Sequence, residues 1–245
     1  ALDEVVVVGY GSQKRSDVTG AVASANLEAF EEAPNTNIAQ SLQGTVPGLN
    51  VGQVNTAGGT PEINIRGQVS LNGSQSVLIV LDGIQYNGSL SSINPNDIES
   101  VDILKDASAT AIYGSRGANG VVIIKTKTGS RNKAGSLKYN TYYALQEPQK
   151  LLDVMDLPTY ARLQNALAVE YGTEPRIEFT TIENLGDGTD WQDEVFQQAI
   201  LKSHQISYSQ GYEKVNYLIS GSYLDQEGTV LGSGFDRLTV RANID

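Results

Sequence analysis

From about Leu137 onward, apolar and polar residues alternate strictly. Leu137, Tyr139, Thr141, Tyr143 and Leu145 interleave with Lys138, Asn140, Tyr142 and Ala144. Val215, Tyr217, Ile219, Gly221 and Tyr223 interleave with Asn216, Leu218, Ser220 and Ser222. Leu238, Val240, Ala242 and Ile244 interleave with Thr239, Arg241 and Asn243, and Ile206 with Tyr208 gives a shorter case. A period of two puts each set on one face of a strand. Strands of roughly 9–11 residues with this pattern suit a half-buried sheet in water or a tilted crossing of an outer membrane. The alternation leaves both open. Gly211 to Lys214 is a short turn, whereas Gln146–Ser203 and Asp225–Phe235 are longer, which is the asymmetry of a membrane barrel. Strands are predicted over 137–145, 204–211, 214–224 and 236–245, with a long loop over 146–203.

The N-terminal half reads differently. Ile93 to Gly129 is a strand–helix–strand unit. Val101 and Ile103 share one face of the first strand, and Asp106 is placed to cap a helix running from Ala107 to Tyr113. Gly114 stands at the left-handed stop. Gly114, Gly117 and Gly120 lead into Val121–Lys127, a β-branched run that predicts a buried strand. These glycines follow the helix instead of preceding it, so they do not form a phosphate loop.

Upstream, a strand is expected within Thr19–Ser24. Asn35 or Thr36 is expected to cap a helix carrying Ile38 and Leu42, and Gly44 to end it. Leu49–Val51 and Glu62–Arg66 predict short strands, Asn72-Gly73 a turn, and Val77–Leu81 a central strand closed by Asp82-Gly83. Four main strands and two short helices are enough for a small mixed-sheet domain.

Charge and composition remove several function classes. With 17 basic and 28 acidic residues the formal net charge is -11, contrary to the basic footprint that nucleic-acid binding needs. Cysteine is absent and His204 is the one histidine, so this sequence holds no disulfide framework, thiolate chemistry or multi-histidine metal site. No run of about 18 apolar residues predicts a membrane helix. No secretory leader is evident, so either the protein is cytoplasmic or a leader has been removed. No paired carboxylates or nucleophile elbow occur at useful spacing, so no enzyme, catalytic residue or cofactor is expected. Asp187-Gly188-Thr189-Asp190 lacks the alternating ligands and closing glutamate of a calcium loop.

Three features carry functional expectations. Val5, Val6, Val7 and Val8, flanked by Asp3-Glu4 and by Gly9, form either a first strand or an extended peptide offered to a partner's sheet edge. Arg66, Asp82, Lys105, Asp106 and Arg116 are charges at strand ends and near the second helix. They are either solvated ends or contacts that dock the domain inside something larger. In the 146–203 insert, Tyr160, Leu163, Leu167 and Tyr171 are expected to make one packed helix face. Asp190 is expected to cap a second helix with Trp191, Val195 and Phe196 facing inward. If Trp191 or Tyr171 faced solvent instead, it would suit stacking on a sugar ring.

Together these residues resemble the N-terminal part of SusC/RagA-type TonB-dependent outer-membrane transporters. The matching stretches are Asp3–Gly11 (DEVVVVGYG), Leu42–Val51 (LQGTVPGLNV), Ile65–Gly67, Val80–Gly83, Ile93–Gly129 and Trp191–Ala199 (WQDEVFQQA). The resemblance implies an α+β plug domain over 12–130. It implies antiparallel strands of an incomplete transmembrane barrel of about 22 strands over 131–245. Residues 1–11 would hold a TonB box, with Asp3, Glu4, Val5, Val6, Val7, Val8 and Gly9 binding TonB, energised by TonB-ExbB-ExbD. It also implies outer-membrane lipid around the barrel, a SusD-like surface lipoprotein as partner and a glycan, oligosaccharide or peptide as cargo. The plug would face the periplasm and the barrel lumen of a bacterial outer membrane. The substrate-binding residues are not legible. About four strands cannot close a barrel, so the chain is expected to be part of a longer protein. A TonB-linked signalling or assembly component and a soluble binding or adhesin fragment are the competing readings.

Overall fold

The β-branched run Val121–Thr126 forms β9, the middle strand of a five-stranded mixed sheet. The structure is a computed structural model describing residues 5–8, 11–14, 22–27, 36–67, 76–129 and 131–245. Strands β1 (Val5–Val8) and β2 (Gly11–Lys14) pair antiparallel as a two-stranded sheet. Asp3, Glu4, Gly9, Asn35, the Asn72-Gly73 turn and residues 19–21 lie outside the described residues.

The central sheet has the order β3-β8-β9-β6-β7, made of β3 (Val22–Ser24), β6 (Leu78–Leu81), β7 (Ile84–Tyr86), β8 (Ile98–Leu104) and β9. β9 runs antiparallel to β8 and parallel to β6. Its alternate side chains feed two cores. Val122 and Ile124 join Val101, Ile103 and helix α1 (Ile38–Leu42) on one face. Val121 and Ile123 join Leu78, Val80, Leu104 and Tyr113 on the other. A sheet covered on both faces needs continuously apolar strands, which explains why β9 reads as an unbroken β-branched run. Strands β4 (Leu49–Val51) and β5 (Ile63–Ile65) form a separate pair beside α1.

Several local expectations change. Strand β7 carries no sequence signal, since its three residues are too few to show a period. Asp82 and Gly83, at φ 48° and 83°, turn β6 into β7, the doubly positive φ of a tight hairpin. The cap of α1 is Asn37, whose carboxamide oxygen accepts the Ala39 N–H at 2.9 Å. Asp106 occupies the N-cap position of α2 (Ala107–Thr110) without a side-chain cap bond, because its carboxylate takes Arg66 instead. Helix α2 passes into a 3-10 turn over Ala111–Gly117, within which Gly114 has φ 62° and ψ -152°.

The four-stranded sheet has the order β10-β11-β12-β13: β10 (Ser136–Gln146), β11 (Ala199–Gly211), β12 (Asn216–Glu227) and β13 (Gly234–Ile244). β11 starts at Ala199 instead of 204 because Ala199, Leu201 and Ser203 continue the buried phase. Inward positions are mostly polar and buried: Ser203, Gln205, Asn216, Ser220, Ser222, Gln226 and Arg237. Outward positions are apolar and open, with Leu238, Val240 and Ile244 each about three-quarters exposed. In water this sheet would be inside out; apolar outside and polar inside is the pattern of a barrel wall in lipid.

Residues 145–200 and 228–233 form a second compact unit. It holds α3 (Leu157–Glu170) and α4 (Trp191–Val195), capped by the Asp156 and Asp190 carboxylates at 2.8 Å. The packed face of α3 centres on Ala161, not on the expected row. Tyr160 meets Phe179 edge-on, while Tyr171 is 74% exposed. Trp191 is 72% exposed, contrary to the inward expectation. It stands at the first position of a five-residue helix. The Gln192 carboxamide beside it grips both the N–H and C=O of Leu152 at 2.8 Å.

Candidate functional site

The inward polar face of the four-stranded sheet meets the N-terminal domain through three clusters of charge. In the first, the β6–β7 turn presents Asp82. Its carboxylate accepts the Thr126 N–H at 2.9 Å and the Thr126 hydroxyl at 2.9–3.0 Å. Arg241 on β13 donates to it at 2.7 Å and also to the Thr126 hydroxyl oxygen. Burial pushes the Asp82 carboxyl up. The Thr126 N–H, Arg241 and the Thr126 hydroxyl more than reverse this and hold it below the usual carboxylate value.

In the second cluster Asp97, buried at the end of a 3-10 turn (Pro95–Asp97), accepts from Gln205 Nε2 on β11 and Ser220 Oγ on β12, both at 3.0 Å. Asn94 Nδ2 lies at 3.4 Å from its other oxygen. In the third, Arg237 on β13 is buried, and three backbone carbonyls converge on its Nη1: Thr36 at 2.9 Å, Ser91 at 2.6 Å and Ile93 at 3.3 Å. No carboxylate touches it in these contacts; dipoles carry the charge, with Asp97 acting at longer range.

A fourth contact lies where the N-terminal domain leads into the sheet. Asn216 Nδ2 donates to the Gly129 carbonyl. A β-carbon at Gly129 would meet the Tyr217 backbone at 2.8 Å, so only glycine fits this approach. Gln205 Oε1, Asn216 Oδ1, Ser222 Oγ and the Nε atoms of Arg237 and Arg241 are buried with no protein partner. Polar groups of this kind make the contact face polar, without dense apolar packing.

The five charges singled out from the sequence divide unequally. Asp82 reaches the sheet. Arg66 pairs with Asp106, Lys105 donates to the Pro47 carbonyl at 2.8 Å, and Arg116 donates to Gln85 and Asn87 at 2.7 and 2.8 Å. Those partners lie inside the N-terminal domain, where the charges tie turns and strand ends together. Val5–Val8 lies in β1, paired on one side with β2.

A small mixed-sheet domain held against the polar face of an inside-out sheet has counterparts among known proteins. Residues 14–121 match the family model described as TonB-dependent Receptor Plug Domain. The chain is 39% identical over 252 residues to TonB-dependent receptor SusC of Bacteroides thetaiotaomicron, covering 99% of this chain and 24% of that protein. It is 40% identical over 247 residues to TonB-dependent receptor P3 of Formosa agariphila, covering 100% of this chain and 23% of that protein. Among solved structures, the RagAB peptide importer in its open-open state superposes with a TM-score of 0.84 at 32% identity, over 98% of this chain and 30% of that one. The chain belongs to the SusC/RagA-type TonB-dependent receptors. It spans about a quarter of the length of the two curated relatives. The N-terminal domain is therefore the plug, and β10 to β13 are barrel wall.

In these terms the docking face joins one plug carboxylate, Asp82, to a wall arginine, a second, Asp97, to a wall amide and hydroxyl, and three plug carbonyls to Arg237. Asp97, Thr126, Arg237 and Arg241 escaped the sequence reading. Asp97 hides in an Asn-Pro-Asn-Asp turn that looks solvated. Arg237 and Arg241 lie four apart on one strand and so share its inward phase. That phase was the available signal: lumen-side residues of a plugged barrel are the ones that meet the plug.

Proposed function

We propose that this chain is the plug and first wall strands of an outer-membrane nutrient importer whose plug is displaced by TonB. The observation that carries the reading is the docking face, a polar contact between a small folded domain and a sheet whose outward row is apolar. Such a contact holds the plug in place without the tight apolar packing that would make its displacement prohibitive. No chemistry takes place at this chain; the energy arrives as mechanical work from the inner membrane through TonB-ExbB-ExbD. Residues 3–9 serve as the TonB box. The edge of β1 opposite β2 suits addition to a TonB strand, where backbone hydrogen bonds supply affinity. The similarity to a structure titled a peptide importer supports a peptide cargo; a glycan as the alternative cargo and a SusD-like surface lipoprotein as partner follow from the SusC/RagA-type resemblance. The plug faces the periplasm through β1, with outer-membrane lipid against the row that includes Val240.

Deletion of Leu2–Gly9 in the full-length transporter tests this. Uptake is expected to be lost while cargo binding at the cell surface is retained. Normal growth of the deletion strain on the cargo overturns the reading.

A further inference from the structure

The outward face of the wall is not apolar throughout. Near the short turn between β11 and β12, Gln210 gathers three tyrosines. Its Oε1 accepts the Tyr208 and Tyr217 hydroxyls at 2.7 and 2.8 Å, and its Nε2 donates to the Tyr212 hydroxyl oxygen at 2.8 Å. Ile206, Ile219 and Val240 follow, each more than half exposed. Beyond them the face turns polar again, at Tyr139, Thr141 and Tyr143 of β10 and at His204 and Lys202 of β11. The stretch from Gln210 to Lys202 runs about 26 Å along the strand, or about 20 Å of height at the usual barrel tilt. The apolar band of a membrane wall is about 25 Å tall, so the two polar groups stand at its two margins. The Lys202 margin is the outer one: the long connection after β10 leaves from that end, whereas the turn after β11 is short.

At this outer margin the imidazole of His204 is partly buried between rings. Tyr139 stacks on it at 6.4 Å, and Tyr143 meets it edge-on at 5.7 Å. Two hydroxyls converge on one nitrogen, Tyr139 at 2.9 Å and Thr141 at 3.0 Å from Nδ1. The Tyr143 hydroxyl lies 3.4 Å from Nε2. A ring nitrogen offers one lone pair or one N–H, so Nδ1 cannot accept from both hydroxyls at full strength. At least one hydroxyl proton of the cluster is left for another acceptor, and beside hydrocarbon an unused donor is costly.

The charges of this margin are polarised across the strands. Lys202 pairs with Asp225 at 3.5 Å, with both side chains more than a third exposed, and Asp236 faces Asp225 from β13. Negative charge therefore lies toward β13, while the lysine, the imidazole and the tyrosine hydroxyls lie toward β10. The β10 side suits an anion that brings several acceptor oxygens. A phosphate ester at the head of a lipid holds its charge at this height and lays its chains alongside Ile206.

We propose that Tyr139, Tyr143, His204 and Lys202 seat the phosphate of an outer-leaflet lipid. The proposal rests on the reading that lipid lies against this face, and it adds which part of the lipid the face recognises and where.

Native mass spectrometry of the full-length transporter tests it, with lipid A and the same lipid stripped of its phosphates as probes. The native protein is expected to retain lipid A about tenfold better than the dephosphorylated form, the share of one hydrogen bond to a charged group. Tyr143→Phe and His204→Leu are expected to remove most of that preference. Tyr208→Phe, at the opposite margin, is expected to leave it unchanged, and added inorganic phosphate is expected not to displace the lipid. Tyr143→Phe deletes one oxygen at an exposed position, so it carries the test if His204→Leu does not fold. Equal retention of the two lipids by the native protein overturns the proposal, as does a preference that Tyr143→Phe keeps in full. Equal loss in Tyr208→Phe means that any tyrosine of the two margins serves, and also overturns it. Displacement by inorganic phosphate means a site for a free anion and overturns the assignment to lipid. Rapid labelling of Val240→Cys by a water-soluble maleimide in intact membranes would instead defeat the underlying reading that lipid covers this face.

Discussion

The two sheets of this chain solve opposite solvation problems. In the plug, β9 buries both faces, and Val121, Val122, Ile123 and Ile124 are each 2% exposed or less. In the wall, β13 buries Arg237 and turns Leu238 and Val240 outward. The plug covers both faces of its sheet with apolar cores, whereas the wall turns an apolar row outward and a polar row to the plug. Buried polarity is costly unless each group is paired, and here the plug supplies the partners. Among the described strands, inward groups of the wall find partners on the plug at Asp82, Asp97, the Gly129 carbonyl and the Thr36, Ser91 and Ile93 carbonyls.

Substitutions that exchange the rules of the two sheets have the largest expected effects. Ile124→Ala in β9 removes a side chain with no exposure and is expected to cost about 2–5 kcal/mol, read as a fall in the plug's unfolding midpoint in the detergent-solubilised full-length protein. Val240→Arg on the outer face of β13 is expected to cost about 2–4 kcal/mol in bilayers, read by refolding into vesicles under urea. A neutral result there breaks the comparison, since it would mean that the outward row faces water.

Smaller effects separate the two arginines of β13. Arg237→Ala leaves three carbonyls short of a donor and is expected to loosen the plug by about 3 kcal/mol. Hydrogen exchange at α1 would report it, with little response to salt because the site is buried. Asp82→Asn removes one half of a part-exposed pair and is expected to cost about 1 kcal/mol, with a clear loss of effect in high salt. The sign of its pH dependence follows from the lowered carboxyl. Asp82 contributes docking stability that is fully present above its free value of about 4 and fades as pH falls through the lower docked value. Plug docking is therefore expected to be flat from pH 7 to pH 5 and to weaken only below about pH 4. Equal pH sensitivity in the Asp82→Asn protein would sink that assignment.

How much of this could be read beforehand depended on whether the signal was local. Strand β9 was legible because a β-branched run and flanking glycines state their structure within a few residues. The outward rows of β10, β12 and β13 were legible because period two needs no knowledge of the partner. Asp106 misled because its position fits a cap, yet Arg66, forty residues away, competes for the same carboxylate. Trp191 misled because hydrophobicity alone does not say which side of a five-residue helix is covered. The docking face was least legible: Asp97 meets Gln205 and Ser220 across 108 and 123 residues, and no local pattern encodes a contact of that range.

The separation between Thr36 and Arg237 is longer still, at 201 residues, and it bears on biogenesis. A chain that crosses to its destination N-terminus first delivers Thr36 long before the arginine that will hold it. Contacts this distant form late, since the loop must close before they repay it. The buried residues of the plug's apolar cores lie within 38–124, so every one of them precedes the wall strands in the chain. Closing those cores needs contacts nearer in sequence than pinning Thr36 to Arg237 does, so the pin is the later of the two to form.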